Sequence, residues 1–380
     1  MNLLVIADDI GGTAPGIVYE TILREISKKY TVTLICASIS STADTSSYRV
    51  IKPTSKPYIH YKIEELSMMA MGRSLTDMVW VFNQRKIAEN SMKGVDVILS
   101  FVSFHHYTSA MLGCELSHKF KKKWVIYSVD AIPAPAMWGG GRIYNKAVSR
   151  FISKLINQSD AFFSSNPQML EYQLQSIPDY KGFNGYIYTP IRSGNFVKPE
   201  EKINHPVILY TGGIYGPRKK ESVINGFRLF LGRYPKAKLI FVGVGDKSQF
   251  DLCKDMVKTG QVELHGYTND LSFFYQKATI LLDINAYFAD DVFLSSKIIN
   301  YLPLSKPIIS ITGDNSPSRN IFYRDFSIIH CHHDDKEICD AFMQAVKVKD
   351  IDFKGREQYK TLFSPSNVIK PLDDFLNICK

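Results

Sequence analysis

Short apolar runs alternate with helix-length stretches along this chain, and the alternation restarts in its second half. The predicted strands of the first half span residues 3–7, 31–37, 95–101, 124–129 and 161–164. Those of the second half span residues 207–211, 238–242, 262–264, 279–284 and 307–311. Because strands that alternate with helices form parallel sheets covered on both faces, the sequence predicts two doubly wound α/β domains.

The domain boundary is predicted at 193–206, a segment rich in glycine, proline and charged residues. We therefore expect an N-terminal domain at 1–195 and a C-terminal domain at 205–353. One long helical region is predicted at 62–92. The apolar residues of the tail, 354–380, predict a helix that needs a surface to pack on.

Composition narrows the classes of function. The 380 residues include 46 Lys and Arg against 37 Asp and Glu, and the resulting charge of +9 suits an anionic partner. That partner is either nucleic acid, a membrane surface or a phosphorylated molecule, but nucleic acid is disfavoured because no aromatic platform interleaves the basic residues. Six cysteines without CxxC spacing favour a reducing compartment. No apolar run approaches the ~18 residues of a membrane span, so we expect a soluble, cytoplasmic protein.

Loops that follow strands at the carboxyl edge of an α/β sheet are where ligands bind. The first such loop contains Gly11 and Gly12, whose N–H groups could approach an anion at the next helix. A plain tight turn explains these glycines equally well. The loop does not match the GxGxxG pattern and the chain has no P-loop, which argues against a nicotinamide dehydrogenase.

Two loops of the second half combine strand ends with positive charge. Gly212 and Gly213 are followed by Arg218, Lys219 and Lys220, which suit a diphosphate, although a solvated basic turn is the alternative. Further along, Ser295-Ser296-Lys297 opens a short helix whose N–H groups and lysine favour a phosphate.

The roles of several histidines and of a run of lysines remain open at the level of sequence. The run His330-Cys331-His332-His333 ends a strand, where neighbouring side chains point to opposite faces, so a metal site is not favoured. His105 and His106 follow a strand and have either a structural role or a polar role in a site. The basic run at 119–123 either complements a helix C-terminus or contacts an anionic membrane surface.

These features, in this order, resemble the GT-B glycosyltransferases, in particular glycosyltransferase family 4 and its relatives in bacterial surface-polysaccharide synthesis. The stretches that carry the resemblance are ILYTGGIYGPR at 208–218, AKLIFVGVG at 237–245, VELHGY at 262–267 and SSKIINYL at 295–302, followed by KPII at 306–309. The resemblance implies two Rossmann-like doubly wound domains that face a cleft, a nucleotide-sugar held mainly by the second domain, and no cofactor or bound metal. It also implies that the tail crosses back to the first domain.

The resemblance assigns roles to individual residues. The donor-binding residues it implies are Gly11, Gly12, Gly213, Arg218, Lys219, Tyr267, Ser295, Ser296, Lys297 and Asn300. Asn300 stands where the family carries the second Glu of its Glu-x7-Glu motif, so it would meet the ribose as a neutral amide. The strand at 125–130 lacks the family histidine, which leaves Asp130, His105 and His106 as catalytic candidates.

The implied function is a glycosyltransferase that moves a sugar from a nucleotide-sugar donor to a glycan or lipid-linked acceptor in surface-polysaccharide synthesis. We expect a retaining, metal-independent hexosyltransferase, with peripheral contact to the inner membrane surface left open. The alternatives are a GT-B-fold sugar-nucleotide epimerase and a degenerate nucleotide-sugar-binding partner subunit.

Overall fold

The computed structural model describes residues 1–103, 107–138, 142–192, 204–268, 270–348 and 354–379. The chain forms two compact units. The first comprises Met1–Pro190 and Phe363–Lys380, and the second comprises Ile191–Leu362. The second unit thus extends past the expected limit at 353, and the tail segment that belongs with the first unit begins at Phe363.

A parallel sheet forms the centre of the first unit. Its strands are β1 (Asn2–Ile10), β2 (Thr31–Ile39), β3 (Arg49–Val50), β4 (Val97–Val102), β5 (Lys123–Ser128), β6 (Ala161–Ser164) and β7 (Phe183–Tyr186). They lie in the order β3-β2-β1-β4-β5-β6-β7. The helices before the tail are α1 (Ala14–Ile26), α2 (Tyr61–Met71), α3 (Leu75–Asn90), α4 (Thr108–Phe120), α5 (Arg142–Ile156) and α6 (Pro167–Gln175).

The second unit repeats this architecture. Its strands are β8 (Val207–Thr211), β9 (Lys238–Val242), β10 (Val262–His265), β11 (Ile280–Ile284), β12 (Ile308–Ile311) and β13 (Ile328–Cys331), in the order β10-β9-β8-β11-β12-β13. Its helices are α7 (Glu221–Leu231), α8 (Lys254–Lys258), α9 (Ser272–Lys277), α10 (Ser296–Tyr301), α11 (Pro317–Phe322), α12 (Asp335–Ala345) and α13 (Glu357–Leu362). All strand pairs are parallel, which confirms the predicted fold class of two doubly wound α/β domains.

The central strands are mostly apolar because helices cover both faces of each sheet. Residues 3–7 of β1 and 97–102 of β4 are buried throughout. Chain order reverses between β1 and β4 in the first sheet and between β8 and β11 in the second. At such switch points the carboxyl ends of the strands leave room for a ligand, so the fold favours ligand binding at the loops after β1, β8 and β11.

The helical region predicted at 62–92 consists of two separate helices, α2 and α3. Gly72 ends α2 in the left-handed conformation, with φ +69°, and its N–H donates to the carbonyl of Met68. Ser74 then caps α3 by accepting a hydrogen bond from the N–H of Asp77. A Cβ at position 72 would lie 2.2 Å from the carbonyl oxygen of Ala147, so only glycine fits here.

The tail forms two short helices, α14 (Pro365–Val368) and α15 (Lys370–Ile378), which pack on the first unit. The ring centres of Phe375 and Phe183 lie 5.5 Å apart, and those of Phe363 and Tyr188 lie 4.8 Å apart in a tilted arrangement. In the described part of the chain, no helix is long and apolar enough to cross a membrane.

Candidate functional site

Two glycine turns meet at the carboxyl ends of β8 and β9. Gly212 has φ +103° and its N–H donates to the carbonyl of Val242 at 2.7 Å. A Cβ at Gly212 would lie 2.7 Å from Cε of Lys297, and a Cβ at Gly243 would lie 3.1 Å from Cα of Gly212. The absence of side chains at these turns therefore allows the stem of Lys297 to run directly over the β8 loop.

The ammonium group of Lys297 lies at this turn and has a lowered pKa. Burial and, to a smaller extent, the positive charge of Arg218 lower the pKa of Lys297 to about 8, although the negative charge of Asp283 opposes the shift. The ammonium lies 5.4 Å from the centre of the Tyr210 ring. Among the described residues no acceptor or carboxylate bonds to it. Two cations held close together in this way create a site that an anion would stabilise.

The loop after β8 is fixed against the loop after β11. Arg218 and Ala286 form an isolated antiparallel bridge, and the N–H of Tyr287 donates to the carbonyl of Pro217 at 3.3 Å. The Arg218 guanidinium lies 4.5 Å from the centre of the Tyr215 ring. Because its backbone is held at both loops, Arg218 is positioned before any ligand arrives.

Lys219 and Lys220 make local contacts beside Arg218. The ammonium of Lys219 sits 3.6 Å from the centre of the Tyr287 ring, a cation–π geometry. Lys220 pairs with Glu221 at 3.2 Å. Lys219 and Lys220 are thus engaged by neighbouring side chains, and the nearby positive charge that lowers the pKa of Lys297 is that of Arg218.

A buried carboxylate organises the start of α10. Asp283, fully buried in β11, accepts hydrogen bonds from the Ser295 hydroxyl at 2.7 Å and from the Asn285 amide at 2.8 Å. The Ser295 oxygen in turn accepts from the N–H of Lys297 at 3.3 Å. Ser295 is therefore engaged by the protein itself and places Lys297, while Ser296 is the first residue of α10.

The other residues predicted to bind the nucleotide-sugar lie around the same end of the second unit. Gly213 accepts a hydrogen bond from the Tyr210 hydroxyl at 2.9 Å. Tyr267 follows β10 with 79% of its surface exposed, which is suited to stacking on a flat ring. Asn300 uses its side-chain oxygen to accept the N–H of Arg192 at 3.0 Å, so its amide NH2 is the group left to face a ligand.

The first glycine loop is capped by the chain's own carboxylate. Asp9 accepts the N–H groups of Gly12 at 3.1 Å and Thr13 at 2.7 Å, together with the Thr13 hydroxyl at 2.9 Å. Gly11 adopts φ +76° to make the turn. The anion at this helix start is thus Asp9, and the tight-turn alternative describes Gly12 better than a ligand contact does.

A cavity of about 270 Å³ opens next to this loop in the first unit. Asp8, Lys56, Tyr19 and Ser103 contribute to its lining. The Lys56 ammonium pairs with Asp8 at 2.6 Å and with Asp77 at 2.7 Å. In the part of the chain that is described, Oδ2 of Asp8 accepts no hydrogen bond, so an entering hydroxyl group would satisfy it.

Of the three catalytic candidates in the first unit, Asp130 lies within the described residues. Asp130 follows β5, its carbonyl accepts the Ser128 hydroxyl at 2.7 Å, and its negative charge, after burial, contributes to raising the pKa of Tyr19. His105 and His106 lie outside the described residues. Within the described ranges, no group of His, Cys, Asp or Glu side chains is arranged to hold a metal ion.

The whole chain can be superposed on solved structures. It is similar to Anabaena HepE in complex with UDP-glucose, with a TM-score of 0.68, 11% identity and 100% of both chains covered. The chain has the GT-B fold. It is also similar to WaaG, a glycosyltransferase involved in lipopolysaccharide biosynthesis, with a TM-score of 0.64, 12% identity and coverage of 100% of this chain and 99% of that chain.

A third structure with this fold comes from Listeria monocytogenes and is proposed to be a UDP-N-acetylglucosamine 2-epimerase. Its TM-score is 0.59 at 12% identity, and the match covers 99% of this chain and 95% of that chain. No protein-family model matches the chain, and no curated protein matches it. The fold is thus shared by proteins of more than one activity, and the site residues must decide between them.

Several residues of these two sites were not among the predicted ones. Asp283, Tyr210 and Lys56 are examples, and each depends on contacts between distant segments. Lys56 lies in a loop with no motif, yet it joins Asp8 and Asp77. Asp283 was detectable as the one charged residue within an otherwise apolar strand, a pattern that signals a buried, hydrogen-bonded carboxylate.

Proposed function

We propose that this protein is a glycosyltransferase that binds a nucleotide-sugar in its second unit and transfers the sugar to a glycan or lipid-linked acceptor of a surface polysaccharide. The observation that carries the proposal is the pair of cations, Arg218 and Lys297, held at a glycine turn of a switch point. The glycosyltransferases with this fold support it, and HepE in complex with UDP-glucose makes a uridine nucleotide the first donor to test.

In the proposed donor complex, the diphosphate lies against Arg218 and Lys297. Arg218 can grip two oxygens at once, whereas Lys297 acts as a point charge. Tyr267 stacks on the base, and the Asn300 amide donates to the ribose. The resemblance to family 4 supports these last two roles, and it is also the basis for proposing hexosyl transfer with retention of configuration.

The cavity in the first unit is the proposed acceptor site. Two carboxylates, Asp8 and Asp9, line it, and its one lining lysine, Lys56, is already paired with Asp8 and Asp77. A neutral hydroxyl group suits this lining better than a phosphate or carboxylate does. Asp130 is proposed as a further polar group of this unit that contacts the reacting sugars.

Electrostatic stabilisation would supply the catalysis. Breaking the anomeric C–O bond leaves negative charge on the nucleoside diphosphate, and cations fixed beforehand stabilise that charge more in the transition state than in the ground state. Arg218 and Lys297 would serve in place of a divalent metal ion.

Product analysis tests the proposal. Purified protein is incubated with UDP-glucose and a membrane-lipid extract, and the nucleotide and sugar are followed by NMR and mass spectrometry. We expect UDP release that depends on the extract, with glucose recovered in a larger glycan or glycolipid. If UDP-glucose and every other UDP- or GDP-sugar tried are left intact, the result would instead support a degenerate partner subunit.

The epimerase alternative has one supporting observation, the Listeria structure with the same fold. An epimerase would change the sugar of the donor in the absence of any acceptor. Incubation with UDP-N-acetylglucosamine alone separates the two, because a new UDP-sugar epimer would contradict the transferase proposal.

A further inference from the structure

The cavity of the first unit holds more negative than positive charge. Its one lining lysine, Lys56, pairs with Asp8 at 2.6 Å and with Asp77 at 2.7 Å. Lys56 also donates to the Thr108 hydroxyl at 2.7 Å, so all three N–H donors of its ammonium are engaged. One lysine thus faces two carboxylates whose side chains are only 11% and 1% exposed, and one negative charge is left uncompensated.

The other carboxylate of the lining, Asp9, is engaged by the protein itself. Its Oδ2 accepts the N–H groups of Gly12 and Thr13 and the Thr13 hydroxyl, and its Oδ1 accepts the Ser38 hydroxyl at 2.7 Å. The dipole of α1, which begins beside it, stabilises an anion at this place as well. The uncompensated charge therefore lies at Asp8, whose Oδ2 accepts no hydrogen bond from the described residues.

A buried tyrosine hydroxyl lines the same cavity. Tyr19 is 1% exposed, and within the described part of the chain its hydroxyl, which lies near Ser103, makes no hydrogen bond of good geometry. Burial raises the pKa of Tyr19 well above its usual value, and the negative charges of Asp130 and Asp8 raise it further. The cavity therefore presents an ionised acceptor, Asp8, and a neutral hydroxyl, Tyr19, in a region of negative potential.

We propose that this cavity binds a protonated amino group, and that the acceptor is accordingly an amino sugar whose amine is free rather than acetylated. The ammonium donates to Oδ2 of Asp8 and to the hydroxyl oxygen of Tyr19, and it supplies the positive charge that Lys56 alone cannot. A charge-assisted hydrogen bond of this kind is roughly twice as strong as one between neutral groups. The reacting group remains a hydroxyl of the same sugar, and the amino group serves recognition.

Other occupants fit this lining less well. An acetylated amine or a plain hydroxyl would leave the negative charge uncompensated, and a phosphate or carboxylate would add to it. A metal ion is disfavoured as well, because no group of His, Cys, Asp or Glu side chains in the described ranges is arranged to hold one. Since the chain as a whole carries a charge of +9, attraction of a cation is a local property of this cavity.

This inference rests on the proposed function, because it specifies the acceptor of that transfer. Binding of the amine needs neither donor nor catalysis, so it can be tested separately. The probes are the methyl glycosides of glucosamine, N-acetylglucosamine and glucose, titrated into the full chain at a pH at which the amine is protonated and followed by ligand-observed NMR. The variants are Asp8→Asn and Tyr19→Phe. The matched control is Asp179→Asn, which neutralises an exposed carboxylate of the same unit outside the cavity lining.

We expect the wild-type protein to bind the glucosamine glycoside at least ~10-fold more tightly than the other two, because hydrogen bonds between charged groups are the stronger ones. Asp8→Asn should lose that preference, since it removes the charge and keeps the size of the side chain. Tyr19→Phe should bind the glucosamine glycoside about 3- to 10-fold more weakly, as loss of one neutral hydrogen bond requires. Asp179→Asn should bind as the wild type does. Circular dichroism should show that all variants are folded, and in Asp8→Asn Lys56 keeps Asp77 as its partner.

Three results would overturn the inference. The first is a wild-type protein that binds the glucose glycoside as tightly as the glucosamine glycoside. The second is a preference for the amine that Asp8→Asn retains. The third is a wild-type protein that binds none of the three glycosides. Failure of the proposed function is distinguishable, because it would leave every donor sugar intact while the glucosamine glycoside still binds at Asp8.

Discussion

At the scale of single residues, the candidate donor site consists of charges that the fold holds close together. Lys297 is kept near Arg218 by the capping bond of Ser295 and by the missing side chain at Gly212. Its pKa of about 8 means that burial and, secondarily, the like charge of Arg218 disfavour the ammonium form. A bound diphosphate would reverse that preference, so nucleotide binding and protonation of Lys297 should be coupled.

The coupling has a definite sign. Below its pKa of about 8 Lys297 is protonated and attracts the diphosphate, and the attraction is lost as the pH rises through that value. We expect the affinity for UDP to fall by about 10-fold between about pH 7 and about pH 9.5. Lys297→Met should bind more weakly at neutral pH and should lose most of this dependence. Titration calorimetry at both pH values measures these affinities. If the affinity for UDP depends on pH in the same way in both proteins, Lys297 is excluded as the titrating group.

At the scale of elements, the turn after β8 sets the shape of the donor site. The strand, its glycines and the following cations could be predicted from the sequence, because they are adjacent in the chain. The close approach of Lys297 to Gly212 could not, because it joins residues far apart in sequence. The same reason explains why the break at Gly72 was missed, since the contact with Ala147 that requires glycine there is remote in sequence.

Gly212→Ala tests this turn. The new Cβ would lie 2.7 Å from Cε of Lys297, and the alanine backbone would have to adopt φ +103°. We therefore expect a stability loss of about 1–3 kcal/mol and UDP binding at least ~10-fold weaker. Gly245→Ala is the control, since a Cβ there meets nothing within 4 Å. Chemical denaturation and calorimetry measure both. Equal effects of the two substitutions would mean that the Gly212 turn does not shape the site.

At the scale of the whole molecule, two units of similar architecture carry different sites, and the tail belongs to the first. The repetition of the α/β pattern was visible in the sequence because each sheet has its own apolar strands. The tail's packing was indicated only by its apolar residues. Its contacts, such as the pairing of Asp373 with Lys29 at 2.5 Å, join the two ends of the chain and required the structure.

Phe375→Ala tests how the tail stabilises the first unit. Phe375 is buried against Phe183, so its truncation should cost about 3–5 kcal/mol. All three tryptophans lie in the first unit, so tryptophan fluorescence during urea unfolding reports that unit. Ile378→Ala, at a residue 75% exposed on the same helix, should change little. An unaltered unfolding midpoint for Phe375→Ala would show that the tail does not support the first unit.

In the proposed donor complex, Arg218 and Lys297 bind the diphosphate of a nucleotide-sugar. Titration calorimetry with UDP, GDP, ADP and CMP, on the wild type and on Arg218→Ala, tests this binding. Arg228→Ala is the matched control, because Arg228 pairs with Asp255 on the surface of the same unit. We expect one diphosphate nucleotide to bind the wild type and the control alike and to bind Arg218→Ala about 10- to 100-fold more weakly, as loss of a charged hydrogen bond requires. Equal affinity of Arg218→Ala and the wild type for that nucleotide would contradict the account.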